Sequence, residues 1–286
     1  MSLPKKKKEL LKNVKTKTST EDKSLILDTF ENDNNWCILG ASICDEINFT
    51  LNRESLVRKL LKVRYLGRAE IARVKIRDLS DNNYIYPPEF DLKAEIIMEK
   101  KDLLNSSSNS SDIIEEKYEE ALKQILPTEE KMFLALLDHS HTTEFKYVFT
   151  LKKFREIKNK VKNATNCILS YSLWDDLLKD PECVKAFEPT TRYALVTEGI
   201  LGKLDGITLH CDCFRHPDLQ TIPDNTFYIL SHPNILGDTL IRADINSIQN
   251  TNNTVEKKLW CFVGYESMCI KDLNLVSKAI INRNLK

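Results

Sequence analysis

The stretch ALKQILPTEEKMF (121–133) decides how the rest of the chain is read. Ala121, Leu122 and Ile125 recur at helical spacing, and Met132, Phe133, Leu136 and Leu137 carry the apolar stripe on past Pro127. Upstream, Ile114 and Tyr118 extend it back to Asp112, a good helix cap. A proline inside such a pattern kinks or restarts a helix. Residues 112–138 are therefore predicted to form one long kinked rod of roughly seven turns. Glu129 and Glu130, just past the proline, read as first-turn acids favoured by the helix dipole.

Working toward the amino terminus, a serine-rich polar link, Asn105–Ser111, separates the rod from two segments of period two. Ala72, Val74 and Ile76 alternate with Arg73, Lys75 and Arg77; after the turn residues of 78–88, Phe90, Leu92, Ala94, Ile96 and Met98 alternate with Glu89, Asp91, Lys93 and Glu95. The pattern predicts a long two-stranded ribbon. Its apolar rows must be covered, by the chain's own helices or by a neighbouring molecule. Its cationic outgoing face and mostly acidic return face pair across the ribbon or between molecules. Before it come an apolar patch at Trp36, Cys37, Ile38 and Leu39, then Asn52 as the cap of a short amphipathic helix through Leu56, Val57, Leu60 and Leu61. Met1–Lys23 holds eight lysines, with Lys5, Lys6, Lys7 and Lys8 in one run, and reads as a flexible arm.

On the carboxyl side, Thr150–Ala164 repeats an amphipathic pattern through Leu151, Phe154, Ile157 and Val161, with lysines and an arginine around the rest of the cylinder. Strand-like segments follow at Cys167–Tyr171, Tyr193–Val196, Leu204–Cys211, Phe227–Leu230 and Leu259–Val263, with Ser172–Phe187 helical and interrupted near Pro181. Ile270–Ile281 is ambiguous. Helix, strand and helix in succession make a compact α/β layer.

Composition narrows the classes. The 286 residues allow one large domain or two, and 42% hydrophobic with 29% charged residues excludes global disorder. Lysine plus arginine (42) balances aspartate plus glutamate (42), so no bulk positive field grips nucleic acid. No apolar run approaches 18 residues and the amino terminus goes straight into lysines, which predicts neither a membrane span nor a secretory signal. Eight cysteines are too sparse for a disulfide framework and are expected as reduced thiols in a cytosolic compartment. Seven glycines and nine prolines favour mixed α and β elements over a small all-β sandwich.

The usual catalytic constellations are missing. His210, Cys211, Asp212, Cys213 and His216 would suit zinc in kind but not in spacing, and a strand of small thiols explains them better. Gly199, Gly202, Lys203 and Gly206 do not fit either nucleotide fingerprint and read as a tight turn and hairpin. His139 and His141 beside Ser140 cannot form a triad so close in sequence. No cofactor or metal is expected, and no enzymatic activity.

The order of parts, a basic arm, a ribbon, a long kinked helix, an α/β region and a late return strand, resembles the major capsid protein of tailed double-stranded DNA bacteriophages, the Hong Kong 97-like fold. Arg68–Glu99 looks like the extended E-loop and Ile113–Asp138 like the spine helix. Phe187–Cys213, with Arg192, Gly199, Leu201, Gly202, Leu204, Gly206 and Ile207, is similar to the hairpin that follows the axial-domain helix; FYILSHPNILG (227–237) and Trp260–Ile270, with Glu266, match the later strands. The resemblance implies an α+β chain with an arm (1–50), a peripheral domain (51–148) holding the E-loop (about 66–100) and spine helix (about 112–138), an axial domain (149–250) and a return to the peripheral domain (251–286). It implies self-assembly into hexamers and pentamers of an icosahedral head, in the virion and, during assembly, in the host cytoplasm. Packaged double-stranded DNA would lie near without specific contact, and portal, scaffolding and decoration proteins would be partners, with no membrane. Arg73, Lys75, Arg77, Phe90, Leu92, Ile96 and Met98 would make inter-subunit contacts, Lys5–Lys8 the arm, and Gly199, Gly202 and Gly206 the axial turn. An encapsulin-like nanocompartment is the alternative within the fold; a nucleic-acid-binding module using the arm and the 150–164 helix is the alternative outside it.

Overall fold

A computed structural model describes residues 30–76, 83–101, 110–188, 202–248, 254 and 256–283. Along the chain run α1 (Asp33–Glu54), α2 (Leu56–Leu60), β1 (Lys62–Tyr65), β2 (Val74–Lys75), β3 (Tyr84–Ile85), β4 (Glu89–Glu99) and α3 (Ser110–Leu137). Then come β5 (His141–Lys146), α4 (Leu151–Lys158), β6 (Ala164–Leu169), α5 (Tyr171–Lys179), α6 (Pro181–Ala186), β7 (Lys203–Leu204) and β8 (Ile207–His210). The last elements are β9 (Thr226–Ser231), α7 (Pro233–Leu236), β10 (Gly237–Ile248), β11 (Lys257–Ile270) and β12 (Val276–Asn282). No helix among the described residues is long and apolar enough to cross a membrane. The chain divides into two compact units: one from Met1–Arg53, Phe90–Leu126 and Arg242–Glu266, the other from Glu54–Glu89, Pro127–Ile241 and Ser267–Lys286.

The expected rod is present as α3, a single helix that runs through Pro127. The ribbon is not present as drawn. β2 pairs with β3 over only two residues, Val74 with Ile85 and Lys75 with Tyr84, while β4 lies beside β11. Pro87 and Pro88 stand between β3 and β4, and a residue without an N–H cannot extend a ladder. The alternation of the return segment does mark a strand, but its partner is a different one.

In the first unit the buried apolar set comes from Trp36, Ile43, Ile47 and Leu51 of α1, Leu92, Ala94, Ile96 and Met98 of β4, Ala121, Leu122, Ile125 and Leu126 of α3, and Trp260 and Phe262 of β11. Trp36 and Trp260 stack at 3.8 Å and 7°, with Phe30 edge-on to Trp36 at 5.5 Å. The sheet edges are closed by side-chain amides. Asn48 of α1 donates to the Ile245 carbonyl (2.9 Å) and accepts the Ile245 N–H (3.0 Å) on β10, so it stands in for a neighbouring strand. Gln124 of α3 does the same to Glu95 of β4, accepting its N–H at 3.3 Å and donating to its carbonyl at 3.5 Å. The 22-residue α1 replaces most of what the sequence suggested as arm beyond Asp33, and Asn52 lies inside it. The residue that caps α2 is Ser55, whose side chain accepts the N–H groups of Val57 and Arg58.

The second unit is built on a six-stranded sheet in the order β5-β12-β9-β6-β8-β7. One face is covered by α4, α5 and α6 through Leu151, Phe154, Ile157, Leu173, Trp174, Leu177 and Cys183 against Cys167, Leu169, Leu209, Phe227, Ile229 and Ile281. The ambiguous last segment is β12, which runs parallel to β5 and antiparallel to β9; it joins this sheet rather than returning beside β11. α4 is shorter than its pattern suggested: it ends at Lys158 with Asn159 as its C-cap, and the chain then turns at Asn163 (φ 53°) into β6. In the same unit β1 pairs in parallel with Asp238–Ile241, the start of β10. Gly237, just before that pairing, is fixed by space: a Cβ there would sit 2.1 Å from the Cys269 carbonyl oxygen.

Candidate functional site: exposed surfaces around a buried charged knot

The residues expected to meet a neighbour separate by burial. Arg73 and Lys75 are exposed, and the Arg73 guanidinium lies over the Tyr84 ring at 4.9 Å. Between them Val74 is buried with Leu66, Leu240 and Cys269, which anchors the base of the loop. Phe90 is half-buried. Leu92, Ile96 and Met98 are 0, 0 and 2% exposed within the chain itself. They cannot form a free apolar strip, and the contact role assigned to them is corrected: an alternating strand shows that one face is covered, not by which molecule. Arg77, Lys5, Lys6, Lys7, Lys8 and Gly199 lie outside the described residues, as does the strand expected at 193–196. Gly202 accepts the Leu209 N–H through its carbonyl (2.9 Å). Gly206 (φ 79°) and Asp205 (φ 55°) form the tight turn between β7 and β8, the backbone shape for which Asp-Gly is suited.

The acidic pair of the rod proved to be more than a dipole effect. Glu129 and Glu130 are both fully buried. Arg58 of α2 donates from Nε to Glu129 Oε1 at 3.0 Å, its own side chain 1% exposed. Arg215 donates from Nη1 to Glu130 Oε2 at 2.7 Å, Thr221 Oγ1 donates to the same oxygen at 2.8 Å, and the Leu56 N–H donates to Glu130 Oε1 at 2.9 Å. Arg215 also reaches the Glu54 carbonyl, and Asp212 accepts the N–H groups of Thr221 and Ile222. The second half of α3, the start of α2 and the 211–222 loop are thus tied at one point. Burial raises Glu130 above the usual carboxylate range, against the opposing pull of Arg215. The signal was in the sequence: Glu129 and Glu130 stand four residues after Ile125 and Leu126 and four before Phe133 and Leu134, on the apolar stripe itself. An acid placed there must find a buried cation.

The histidine and cysteine cluster disperses into separate tasks. His210 bonds through Nε2 to Asn166 Oδ1 at 3.0 Å, and burial depresses its pKa to about 4. Asp212 is taken up by backbone N–H groups, and His216 accepts the Asp218 N–H. Among the described residues no group of three or more histidine, cysteine or acidic side chains could hold a metal ion. The basic helix α4 is also committed locally. Arg155 grips Asp205 with two nitrogens at 3.0 and 3.1 Å, Lys158 bonds the Asp205 carbonyl, and Lys160 bonds Thr143. Lys153 bonds the carbonyls of Lys146 and Val148 at 2.5 and 2.6 Å. Three of its cations, Lys153, Arg155 and Lys158, and Lys160 just past its end are therefore spent on contacts within the same unit, which weakens the nucleic-acid reading.

Among the described residues several large aromatic and apolar side chains face outward: Tyr65, Ile71, Tyr86, Tyr147, Tyr171 and Phe214 are each more than half exposed. Isolated exposed apolar residues are ordinary, but aromatic side chains are the usual anchors of protein interfaces.

Neither protein-family models nor curated proteins match this chain. Solved structures do. The chain is similar to a chain of Gordonia phage Cozz (11% identity, TM-score 0.54, covering 80% of this chain and 86% of that one). It is similar to a virus-like particle from Pyrococcus furiosus (14%, TM-score 0.52, 83% and 98%) and to the holo-SrpI encapsulin complex from Synechococcus elongatus (10%, TM-score 0.51, 79% and 87%). At such identities the likeness is one of fold.

Proposed function

We propose, from the Hong Kong 97-like capsid fold that this chain has, that it is the major capsid protein of a tailed double-stranded DNA bacteriophage, a structural subunit that assembles with its own copies into hexamers and pentamers of an icosahedral head. The observation that carries the reading is the extent of the likeness: the fold is matched over about four-fifths of this chain, against 98% of a chain of the Pyrococcus furiosus virus-like particle and 86% of a chain of Gordonia phage Cozz. The chemistry agrees with it. The polar clusters inside the second unit are spent on holding its parts together, as in the knot at Glu129 and Glu130. The net charge of zero suits a wall that encloses DNA without gripping it.

Assembly would use the loop between β1 and β4 as the arm laid on a neighbour, with exposed Arg73 and Lys75 at its described part and buried Val74 holding its base. Many modest contacts, each worth about 25 cal/mol per Å2 of apolar surface buried, give a stable closed shell while single contacts stay reversible. The virion is the expected location, and portal, scaffolding and decoration proteins are the expected partners. The second reading, a nanocompartment shell, is favoured by the likeness to the Synechococcus elongatus encapsulin.

Electron microscopy of the expressed chain, with and without the structural proteins encoded beside it, tests the reading. Closed particles are expected, and nuclease-protected DNA inside those made in the infected cell supports a phage head. A protein cargo in place of DNA would decide for the compartment. A chain that stays monomeric at every concentration overturns both.

A further inference from the structure

Between β5 and α4 the chain makes its turn on Tyr147, at φ 69°. L side chains rarely adopt that conformation, and a bulky aromatic there is an outlier. Glycine would make the same turn without strain, so the turn alone does not account for the tyrosine. The side chain is 62% exposed, and the next residue, Val148, is 56% exposed.

This pair is held rigidly from behind. The Tyr147 N–H donates to the Asn282 carbonyl at 3.0 Å, and Lys153 spans the carbonyls on either side of Tyr147 while resting over the Phe145 ring at 5.7 Å. The Phe149 N–H donates to Asp176, which is itself held in a two-point fork by Arg283 at 2.9 and 3.3 Å. Arg283 also donates to the Ser172 carbonyl at 3.0 Å, next to Tyr171, which is 59% exposed. The result is a preformed aromatic knuckle with exposed Lys146 and Lys152 beside it. An anchor already fixed in its bound shape loses little freedom on docking.

The same chain carries the opposite charge elsewhere. In the first unit the start of α3 exposes Asp112, Glu115, Glu116 and Glu119. We propose that the Tyr147–Val148 knuckle is an interface between copies of this chain, with its lysine rim facing the acidic start of α3 of a second copy. The proposal rests on the shell reading. Because the two surfaces are unlike, the contact is head-to-tail, the kind that closes into rings. Complementary charge sets the register and speeds encounter, and the aromatic pair supplies the buried anchor.

The test uses the full chain and reads thermal stability and particle yield side by side. Tyr147→Gly with Val148→Ser removes the anchor and relieves the strained turn. The variant is expected to melt no lower than the wild type while its assembly falls by ~tenfold or more. Lys152→Glu is expected to weaken assembly, and Glu116→Lys in the same chain to restore it. Wild-type assembly should also weaken as salt is raised. If the Tyr147→Gly, Val148→Ser variant assembles like the wild type while the wild type forms shells, the proposal is overturned and the shell reading stands. Failure of the charge swap to restore assembly, with Lys152→Glu lowering retention of DNA instead, would assign the patch to nucleic acid and overturn it as well. A wild type that never assembles removes the shell reading, and the proposal with it.

Discussion

Arg58 and Glu129 meet where neither touches water, and that fixes what each substitution costs. Arg58→Ala leaves a carboxylate buried without its cation and is expected to destabilise the subunit by about 3–5 kcal/mol, read as the shift of a urea midpoint. Replacing both partners by apolar residues of similar size, Arg58→Met with Glu129→Leu, should recover most of that loss, because the desolvation of both charges disappears together. A double variant as unstable as the single one would show that the pair contributes more than it costs to bury. His210 gives a second measurable consequence. Its folded-state pKa of about 4 lies below the ordinary 6.5, so between those values the unfolded chain takes up a proton that the folded chain refuses. Stability should therefore fall as pH drops from 6.5 toward 4, by about 3 kcal/mol for this group. His210→Gln should flatten the slope in that window. Asp205 acts in a different one: its hydrogen bond from Arg155 lowers it below 3.8, so its contribution is present above that value and is lost only as pH falls further.

At the scale of elements, the closed sheet edges and one close backbone approach make the clearest expectations. Asn48→Ala removes the amide that satisfies both backbone groups of Ile245, at a cost of about 1–3 kcal/mol, and should raise aggregation on mild heating by opening the edge of β10. Aggregation unchanged from the wild type would mean that another group guards that edge. Gly237→Ala cannot be accommodated without moving β11, because the obstacle is the Cys269 carbonyl rather than a flexible side chain; loss of a cooperative melting transition is expected. The elements also show how far the sequence could be read. α3 was legible because its apolar stripe persists on both sides of Pro127, and β4 because its alternation is strict. α1 was missed because asparagine, aspartate, serine and threonine dilute its apolar positions, so that periodicity alone showed only the patch at Trp36–Leu39. The ribbon failed for a different reason: period two identifies a strand and its buried face, but pairing partners are set by tertiary packing over long sequence separations. The knot is harder to see in the sequence, because an acid that follows a proline has a local explanation that hides the buried one.

At the scale of the whole molecule, the expectation concerns closure. Shortening the loop by deleting residues 77–82 should leave a subunit that melts like the wild type but yields few closed particles by electron microscopy; normal particles would remove the loop from the assembly mechanism. The two units also carry different optical labels. Of the three tryptophans, Trp36 and Trp260 form the stacked pair of the first unit, with the Lys258 ammonium 5.7 Å above the Trp36 ring, whereas Trp174 stands in the second unit with Phe187 edge-on at 6.0 Å. Two indoles face to face couple their electronic transitions, and where their transition dipoles are skewed the coupling gives a paired positive and negative band in circular dichroism, which a lone indole cannot. Melting followed by that band and, in a Trp36→Phe, Trp260→Phe variant, by the emission of Trp174 would report on each half of the protein separately and would reveal whether they come apart in one step or in two.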